Sequence, residues 1–284
     1  MTTLGKLYVV ATPIGNLNDI SARCQHILQQ VDWILAEDTR HSIKLFNQLN
    51  IAPKVISYHD HNEKVMVPRL LERLISGETG ALISDAGTPL ISDPGFLLVK
   101  SAHEHNIPVS PIPGPCALIA ALSASGLPCD QFSFIGFLPP KTLKRQSKLQ
   151  ALQKSPHTLI FYEAPHRIQA CLEDMLIVFG PNRNMTLARE LTKMHEQIVT
   201  KPIREIKEAL ENGLIPLKGE MVMIVSGEAV AEKEEPVIQS TLQILLPHLP
   251  LKQAVLIASE LTGIKKNTVY QAALAMSGLH PDET

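Results

Sequence analysis

The sequence predicts an α/β protein with two sheets, followed by a small helical module. Three observations lead to this fold class. Short apolar segments alternate with helix-like segments over the first hundred or so residues, which is typical of a mostly parallel sheet. Strand-like segments of a different texture follow residue 125 and indicate a second sheet. Near the end, two apolar helical segments flank Gly263, a spacing that suits a helix-turn-helix.

The elements of the first sheet follow from apolar runs and helix caps. Strands are predicted at residues 6–11, 31–36, 54–57, 80–84 and 107–111. Helices are predicted from Asp19, as a cap, to about Gln30, from about Ser42, over residues 63–76 and over residues 95–105.

The remaining elements belong to a second sheet and a tail. A small-residue helix is predicted at 117–125, and strands at 132–137, 158–162, 184–188 and 221–226. The segment 229–239 is polar and rich in glutamate, and we interpret it as a linker. The predicted domains are therefore 1–115, 116–228 and, beyond that linker, a helical module at 240–284.

Length and composition restrict the classes of protein. The 284 residues suffice for two compact units, and 45% are hydrophobic against 19% charged. A net charge of −2 does not indicate a globally basic nucleic-acid binder, although it leaves room for a local basic patch. No apolar run has the length of a membrane span, the N-terminus lacks a signal-peptide pattern, and the four cysteines are widely spaced. We expect a cytoplasmic protein without a membrane segment.

Several common catalytic motifs are missing from the chain. It contains no G-x-G-x-x-G, no Walker A spacing, no G-x-S-x-G and no H-E-x-x-H. The usual dinucleotide, nucleotidase, hydrolase and zinc-protease interpretations therefore lose their strongest support.

Four unusual turns follow predicted strands of the first sheet, at residues 12–16, 37–40, 85–95 and 113–116. Ligands of open α/β sheets bind at the carboxyl ends of the strands. Glycine and proline there suit close backbone approach and fixed φ angles. A single such turn is more often only a turn, but four at one edge favour a site for a polar, amino-acid-like ligand.

Charged side chains at these turns have two open interpretations each. Asp38 is suited to accept a proton and Arg40 to hold a phosphate, or Asp38 caps the next helix while Arg40 pairs with Glu37. His59 belongs to an acid–base pair with its neighbours or to a solvated loop. Since adjacent side chains on an extended segment do not all face one ion, we expect no metal there.

Basic side chains in the second half suggest phosphate contacts. Residues 141–148 carry Lys141, Lys144, Arg145 and Lys148, which indicate either a phosphate-tracking loop or an ordinary solvated helix start. Arg167 follows Tyr162, which offers a stacking face. Arg189 either contacts substrate or pairs internally with Glu190, and Lys193 lies just beyond.

Eight motifs in order carry a family resemblance: ATPIGNLND, AEDTRH, SDAGTPLISDPG, PGPCA, GFLP, FYEAPHR, ARELTK and KGEMV. Together they resemble the ribosomal RNA small-subunit methyltransferase I family, within the tetrapyrrole-methylase superfamily. The resemblance spans about residues 7–227, and the tail resembles the helix-turn-helix module of many members. It implies two α/β domains of the tetrapyrrole-methylase type (class III S-adenosylmethionine methyltransferases), with S-adenosylmethionine in the cleft between them. It also implies a homodimer and 2′-O-methylation of a decoding-centre cytidine in 16S rRNA, within the 30S subunit.

The resemblance also implies roles for individual residues. The expected cofactor contacts are Pro13, Asp85, Ala86, Gly87, Thr88, Ile91, Cys116, Ala117, Tyr162, Glu163 and Leu191. For Asp85, ligand contact and tying down the turn both stay open. The expected RNA contacts are Arg40, Lys141, Lys144, Arg145, Arg167, Arg189 and Lys193. Asp38 is the favoured proton acceptor and His59 the second, unless alignment alone supplies most of the acceleration.

Two alternatives to rRNA methylation stay open at this point. The first is a small-molecule methylase acting on a tetrapyrrole precursor, which shares fold and cofactor. The motifs AEDTRH and FYEAPHR, the basic 141–148 segment and the helical tail argue against it. The second is a non-catalytic DNA- or RNA-binding regulator centred on residues 252–275, which predicts that the cleft binds no cofactor.

Overall fold

The computed structural model describes residues 4–228 and 231–277, and the side chains of 231–236 and 277 are not described. The chain divides into two compact units. The first comprises Met1–Gln153 and Thr158–Ser226, and it holds both sheets. The second comprises Lys154–His157 and Gly227–Thr284.

Five parallel strands form the first sheet. They are β1 (Leu7–Val10), β2 (Trp33–Ala36), β3 (Val55–Ser57), β4 (Gly80–Leu82) and β5 (Val109–Ile112), in the order β3-β2-β4-β1-β5. The connecting helices are α1 (Ala22–Gln30), α2 (Thr39–Gln48), α3 (Glu63–Ile75) and α4 (Phe96–Glu104). Because all five strands run in the same direction, the loops after them meet at one edge of the sheet.

Both faces of this sheet are buried, which explains its continuous apolar strands. Along β2, Trp33 and Leu35 belong to the core beneath α3 and α4, whereas Ile34 and Ala36 belong to the core beneath α1 and α2. All four residues of β2 are fully buried. Apolar patterning alone thus predicts this interior strand to within two residues.

The second sheet is mixed. It consists of β6 (Phe132–Phe137), β7 (Thr158–Glu163), β8 (Asn184–Arg189), β9 (Gln197–Pro202) and β10 (Met221–Val225), in the order β6-β7-β10-β8-β9. Only β6 and β7 pair in parallel. Helix α5 (Ala117–Ser125) packs on one face, where Leu118 and Leu122 join the same core as Val222. Helices α6 (Thr142–Leu152), α7 (Ile168–Phe179) and α8 (Ile203–Glu211) contribute to the core on the other face.

Strand β9 is absent from the sequence prediction. It lies at the edge of the sheet, exposes Thr200 and Lys201, and ends at Pro202. Edge strands commonly carry lysine and proline, which discourage pairing with other chains but also erase the apolar pattern of a strand. Its hydrophobic signal was therefore too weak for periodicity to detect.

Two helix starts also differ from the prediction. Ser21, not Asp19, caps α1 by accepting a hydrogen bond from Cys24 N–H, and Leu17–Asp19 forms a separate 3₁₀ turn. Helix α2 begins at Thr39 rather than near Ser42, because the Asp38 carboxylate accepts from the Arg40 N–H. In both helices, a short polar side chain accepts a backbone hydrogen bond and so sets the first helical residue.

Three helices form the second unit: α9 (Ala231–Leu245), α10 (Leu251–Thr262) and α11 (Lys266–Ser277). Ile238, Leu242, Val255 and Val269 share its small core. Gly263 ends α10 in the left-handed conformation, with φ of 70°, as the helix-turn-helix spacing predicts.

The predicted linker at 229–239 is wrong over residues 231–239, which lie in α9. Residues 229 and 230 lie outside the described residues. Alanine, glutamate and lysine make up most of this segment. Because these residues are strong helix formers, its polar composition indicates a helix and not a loop. Ile238 and Leu242, four residues apart, give that helix its buried stripe.

Candidate active site

A cavity of about 370 Å³ lies in the first unit. The loops at the carboxyl edge of the first sheet form one side, and β7, β10 and the neighbouring loops of the second sheet form the other. Its lining residues are Ile14, Asp85, Ala86, Gly87, Thr88, Ile91, Ser92, Asp93, Cys116, Ala117, Phe137, Tyr162, Glu163, Ala164, Pro165, Leu191, Glu220, Met221 and Val222. The size falls within the range of small-molecule sites.

The first turn after β4 exposes backbone toward the cavity. Thr12 and Gly87 exchange two backbone hydrogen bonds, of 2.8 and 3.1 Å, which join the loop after β1 to this turn. Gly87 has φ of +83°, and a Cβ there would lie 3.2 Å from the Ile14 side chain. Glycine is therefore required by conformation, and the close approach leaves little space for a side chain.

A side chain of helix α3 holds the second turn after β4, at residues 92–95. Glu63 Oε1 accepts hydrogen bonds from the backbone N–H groups of Gly95 and Leu97, each at 3.2 Å, and from the Tyr58 hydroxyl at 2.6 Å. The Glu63 carboxylate thus satisfies the free N–H groups at the start of α4. The loop that carries Asp93 is held at this end by a buried acceptor.

Backbone strain is concentrated in two loops of the cavity. Six non-glycine residues among those described have positive φ, and four of them are Leu90, Ser92, Glu190 and Thr192. Ser92 lines the cavity, as does Leu191 between the other pair. Strain of this kind persists where the surrounding structure enforces it, and it clusters at ligand sites.

Tyr162 links the second sheet to α5. Its hydroxyl oxygen accepts from the Leu118 N–H at 3.2 Å, one of the donors that a helix start leaves free. Its ring makes edge-on contacts with Phe134, at 4.9 Å between centroids, and with Phe137, at 5.8 Å. Tyr162 is therefore a rigid wall between the cavity and the start of α5.

The lining fits a cofactor with an apolar body and several polar groups. Ile14, Ile91 and Leu191 supply apolar surface, and the 86–88 turn supplies backbone. Glu163 also lines the cavity, but its side chain is fully buried, and its Oε1 accepts a hydrogen bond from the Ala164 N–H at 2.8 Å. The polar side chains of Asp85, Ser92 and Asp93 line the cavity as well. The apolar body and the polar groups of S-adenosylmethionine match these two kinds of surface.

Acidic side chains gather at one end of the cavity. Burial, followed by the nearby charges of Glu37, Asp85 and Asp60, raises the pKa of Asp93 to about 7. The pKa of Glu37 is also raised, first by burial and then by Asp85 and Asp60. Of this group, Asp85 and Asp93 line the cavity. Near neutral pH, the Asp93 carboxyl is therefore suited to gain or lose a proton.

Comparison with known proteins identifies the family. The model for Tetrapyrrole (Corrin/Porphyrin) Methylases matches residues 6–207, and that for the RsmI C-terminal HTH domain matches residues 232–277. The Ribosomal RNA small subunit methyltransferase I of Pseudomonas aeruginosa is 51% identical over 277 residues, covering 96% of this chain and 98% of that protein. The protein of the same name from Escherichia coli O157:H7 is 48% identical, covering 96% of each.

The chain belongs to the ribosomal RNA small subunit methyltransferase I family. This confirms the predicted family and its tetrapyrrole-methylase fold with a C-terminal helical module. Among solved structures, uroporphyrin-III C-methyl transferase from Thermus thermophilus complexed with S-adenyl homocysteine has a TM-score of 0.55 and 16% identity. That likeness covers 78% of this chain and 97% of the other, and it shows the shared fold alone.

Most predicted cofactor contacts of this family member line the cavity. Asp85, Ala86, Gly87, Thr88, Ile91, Cys116, Ala117, Tyr162, Glu163 and Leu191 all do so. Pro13 does not, and its neighbour Ile14 takes that place. Neighbouring residues of an extended chain point to opposite sides, so a loop motif can be right while the residue is off by one.

The contacts of Asp38 differ from those expected of the predicted proton acceptor. It caps α2, and both of its carboxylate oxygens accept from the Arg40 guanidinium, at 3.0 and 2.7 Å. These hydrogen bonds hold the pKa of Asp38 well below its usual range. Arg40 pairs with Asp38 and not with Glu37, the partner that the capping alternative had expected. Asp38 does not line the cavity, and a carboxylate with so low a pKa is a weak base.

Asp85 ties two loops together. Its Oδ1 accepts from the Asp38 backbone N–H at 3.0 Å, and its Oδ2 lies 3.4 Å from His41 Nδ1. His59 does not line the cavity either, and its backbone N–H donates to Asn62 Oδ1. The described His, Cys, Asp and Glu side chains form no group of three that could hold a metal ion.

Two predicted RNA contacts are structural arginines. Arg145 is 3% exposed, and its Nε lies 2.5 Å from Asp174 Oδ2. Arg189 is 7% exposed and donates to the carbonyl oxygens of Lys218 and His195. The prediction that these two bind RNA is wrong, because burial and internal partners leave no donor at the surface.

Arg167 and Lys193 are partly exposed but also engaged. Arg167 donates to the Leu138 carbonyl, and its Nε lies 3.2 Å from Glu163. Lys193 Nζ lies 2.9 Å from Glu190 and 3.1 Å from Glu220. Both pairs hold loops beside the cavity. Of the predicted RNA contacts, Arg40, Lys141 and Lys144 are exposed at the surface.

The sequence prediction missed several cavity residues, of which Asp93 and Phe137 matter most chemically. Asp93 follows Ile91 by two residues in the second turn, the segment already noted for its unusual composition. Phe137 lies within the GFLP motif, but no spacing rule places its side chain. Three more, Glu220, Met221 and Val222, belong to the KGEMV motif, which was used for the resemblance and not for the site.

Proposed function

We propose that the chain transfers a methyl group from S-adenosylmethionine to the ribose 2′-oxygen of a decoding-centre cytidine in 16S rRNA. The observation that carries the proposal is 51% identity across 96% of the chain with a protein named Ribosomal RNA small subunit methyltransferase I. The eight ordered motifs support the same reaction, and seven of them contribute residues to the cavity.

The residues of the cavity suit this cofactor. The 86–88 turn and the loop at Cys116 offer backbone groups, while Ile91, Leu191 and Tyr162 form the apolar walls. When bound, S-adenosylmethionine supplies an electrophilic methyl group on a sulfonium sulfur. The protein must then hold the substrate oxygen in line and keep competing water away.

Proton uptake is best assigned to Asp93. A ribose hydroxyl loses its proton as its oxygen accepts the methyl group, so a nearby base assists the transfer. Asp93 lines the cavity, and burial raises the pKa of its carboxyl to about 7, which leaves a large ionised fraction at neutral pH. Asp38, the base favoured by sequence, is engaged with Arg40 and lies outside the lining. Asp93 therefore replaces it in this proposal.

The wider context of the enzyme rests on the family resemblance. We expect the substrate to be 16S rRNA within the 30S subunit, the enzyme to be a homodimer, and the compartment to be the cytoplasm. Among the described helices, none combines the length and the apolar character needed to cross a bilayer.

A small-molecule methylase is the second candidate function. The Thermus neighbour is a uroporphyrin-III methyltransferase by name, and its fold is shared. Against this candidate, identity to that structure is 16%, whereas relatives named for ribosomal RNA reach 51%. A helical module matching the RsmI tail is also present.

One assay separates the two candidates. Purified 30S subunits lacking the modification and a tetrapyrrole precursor are offered in parallel with radiolabelled S-adenosylmethionine. We expect label in 16S rRNA, at a ribose 2′-oxygen, and none in the precursor. Label in the precursor alone would overturn the proposal, and absence of cofactor binding in calorimetry would favour the non-catalytic regulator.

A further inference from the structure

Phe137 is an aromatic residue left exposed at the cavity. Its side chain lines the cavity, yet the residue is 53% exposed. Phe134, on the same strand, is packed in the core formed with α5, whereas Phe137 belongs to none of the buried clusters. Its ring makes a T-shaped contact with Tyr162, at 5.8 Å between centroids, and no other described aromatic ring contacts it.

A bulge in β6 aims this ring. The register of β6 against β7 shifts between Phe134 and Gly136, and Gly136 has φ of +72°. Beta-bulges bend a strand and turn a side chain to a new direction, often beside active sites. A Cβ on Gly136 would lie 3.7 Å from Ser92 Oγ, so this part of β6 is adjacent to the loop that carries Asp93.

A basic surface begins four residues after the ring. Lys141, Lys144 and Lys148 are exposed at the start of α6 and along it. Residues 141–152 include no acidic residue, and none of these three lysines forms an ion pair with a described residue. The fourth basic residue of this segment, Arg145, is buried in an ion pair with Asp174. The surface that continues from Phe137 is therefore positive and accessible.

We propose that Phe137 is the platform on which the base of the target nucleotide stacks, with the RNA backbone continuing over Lys141 and Lys144. This inference rests on the proposed function. A ribose whose 2′-oxygen enters the cavity places its own base within one nucleoside length of that oxygen. Proteins hold splayed RNA bases by stacking them on aromatic side chains, and lysines track the adjoining phosphates. Phe137, exposed beside the Asp93 loop, supplies the ring for stacking, and the two lysines supply the contacts to the phosphates.

The alternative occupant of the ring is the cofactor itself. A contact with the adenine of S-adenosylmethionine would also place an aromatic residue in the lining. The two occupants predict different defects when Phe137 is replaced. If the ring holds the RNA base, methyl transfer to rRNA falls even at saturating cofactor. If the ring holds the cofactor, the affinity for the cofactor falls.

The test compares Phe137→Ala, Phe137→Trp and the control Phe132→Ala. Phe132 is 40% exposed at the other end of the same strand and does not line the cavity. Cofactor affinity is measured by calorimetry and kcat/KM for undermethylated 30S subunits at saturating cofactor. We expect F137A to lower kcat/KM about ten- to a hundredfold, the range that follows from losing one base–aromatic stack. Cofactor Kd should stay within about twofold, and F137W and F132A should stay near wild type.

Three results would overturn the inference. Wild-type kcat/KM for F137A would do so, as would a large loss of cofactor affinity whose effect on rate disappears at saturating cofactor. If F137A fails to fold, an inactive but folded F137W would also count against a stacking platform. Failure of the wild-type enzyme to methylate rRNA is a separate outcome, and it would reject the proposed function together with this inference.

Discussion

The Asp93 carboxyl combines position and acidity at the scale of single residues. It lines the cavity, and burial, followed by the nearby charges of Glu37, Asp85 and Asp60, raises its pKa to about 7. Asp38 is an exposed carboxylate held by Arg40, and its pKa is lowered. Two carboxylates of neighbouring loops thus differ in acidity because one is partly buried among like charges and the other is paired.

The pH dependence of methyl transfer tests the role of Asp93. The acting form is the carboxylate, so single-turnover rates should rise with pH up to about 7 and level off above it. Below the pKa, the rate should fall about tenfold per pH unit, because the ionised fraction does so. Asp93→Asn should lower the rate at least about a hundredfold and abolish the dependence. The control, Asp38→Asn, should retain cofactor binding and most of the activity.

Two outcomes would contradict this assignment. One is an Asp38→Asn variant that binds the cofactor normally but has lost methyl transfer. The other is an Asp93→Asn variant with the wild-type rate and pH profile. In either case, the base would have to be sought elsewhere or alignment alone would supply the acceleration.

Gly87 gives a second prediction at the residue scale. Alanine there would adopt a φ of +83° and approach Ile14, so Gly87→Ala should weaken cofactor binding about tenfold. Gly126→Ala is the matched control, because Gly126 has φ of +71° but no atom within 4 Å and does not line the cavity. Both variants should lose about 1–2 kcal/mol of stability, and only Gly87→Ala should lose cofactor affinity in calorimetry. Equal cofactor affinities in the two variants would contradict a role of the 86–88 turn in binding the cofactor.

Helix α6 shows, at the scale of elements, how one segment serves two purposes. Its lysines face outward, while Arg145 lies beneath them and donates to Asp174 on α7 and to the carbonyls of Pro140 and Ala170. Gln146 donates to the second oxygen of Asp174 at 2.7 Å. The basic run therefore divides into a surface that is free for RNA and a pair that joins α6 to α7.

Substitutions in α6 separate these two roles. Arg145→Met leaves the Asp174 carboxylate buried with only Gln146, and we expect a loss of about 3–5 kcal/mol in the free energy of unfolding. Lys144→Met, one residue earlier and exposed, should change stability by less than about 0.5 kcal/mol and weaken binding to 30S subunits. Urea unfolding and a filter-binding titration measure the two effects. An Arg145→Met variant of normal stability and weakened RNA binding would contradict the division.

The elements also show what periodicity can predict here. The buried strands of the first sheet and the helices 63–75 and 117–125 are predicted closely, because burial on both faces or on one stripe leaves a strong apolar pattern. Strand β9 and helix α9 are missed, because an edge strand and a glutamate-rich helix both look polar. Their structure depends on pairing with β8 and on the packing of Ile238 and Leu242.

The candidate site was predictable in its loops and not in its chemistry. Ten of the eleven cofactor contacts predicted from the motifs line the cavity, including Gly87, Tyr162 and Leu191. Packing and side-chain partners decide the rest: Asp174 holds Arg145 away from the surface, Arg40 pairs with Asp38, and burial together with Glu37 and Asp85 raises the pKa of Asp93. Such pairings join residues from different elements, and a single sequence does not reveal them.

The molecule as a whole divides its residues between two compact units. All residues that line the cavity belong to the first unit, and the three-helix unit has its own core around Leu242 and Val255. The cofactor site should therefore be independent of the C-terminal helices.

Truncation after Ser226 tests this independence. We expect the shortened chain to bind S-adenosylmethionine with a Kd within about threefold of wild type, since no lining residue is removed. Calorimetry gives the affinity, and circular dichroism checks that the shortened chain is folded. A folded truncated chain without cofactor affinity would contradict the independence. Reduced affinity for 30S subunits alone would assign the helices to substrate binding.

The most direct test of the central claim is a map of 2′-O-methyl groups on 16S rRNA. The map is made by reverse transcription at limiting nucleotide, or by mass spectrometry, in three strains. These are a deletion of the gene, the deletion complemented with wild type, and the deletion complemented with Asp93→Asn. The account predicts that one decoding-centre cytidine loses its ribose methyl in the deletion, regains it with wild type and does not regain it with Asp93→Asn. An unchanged 16S methylation map in the deletion strain would contradict it.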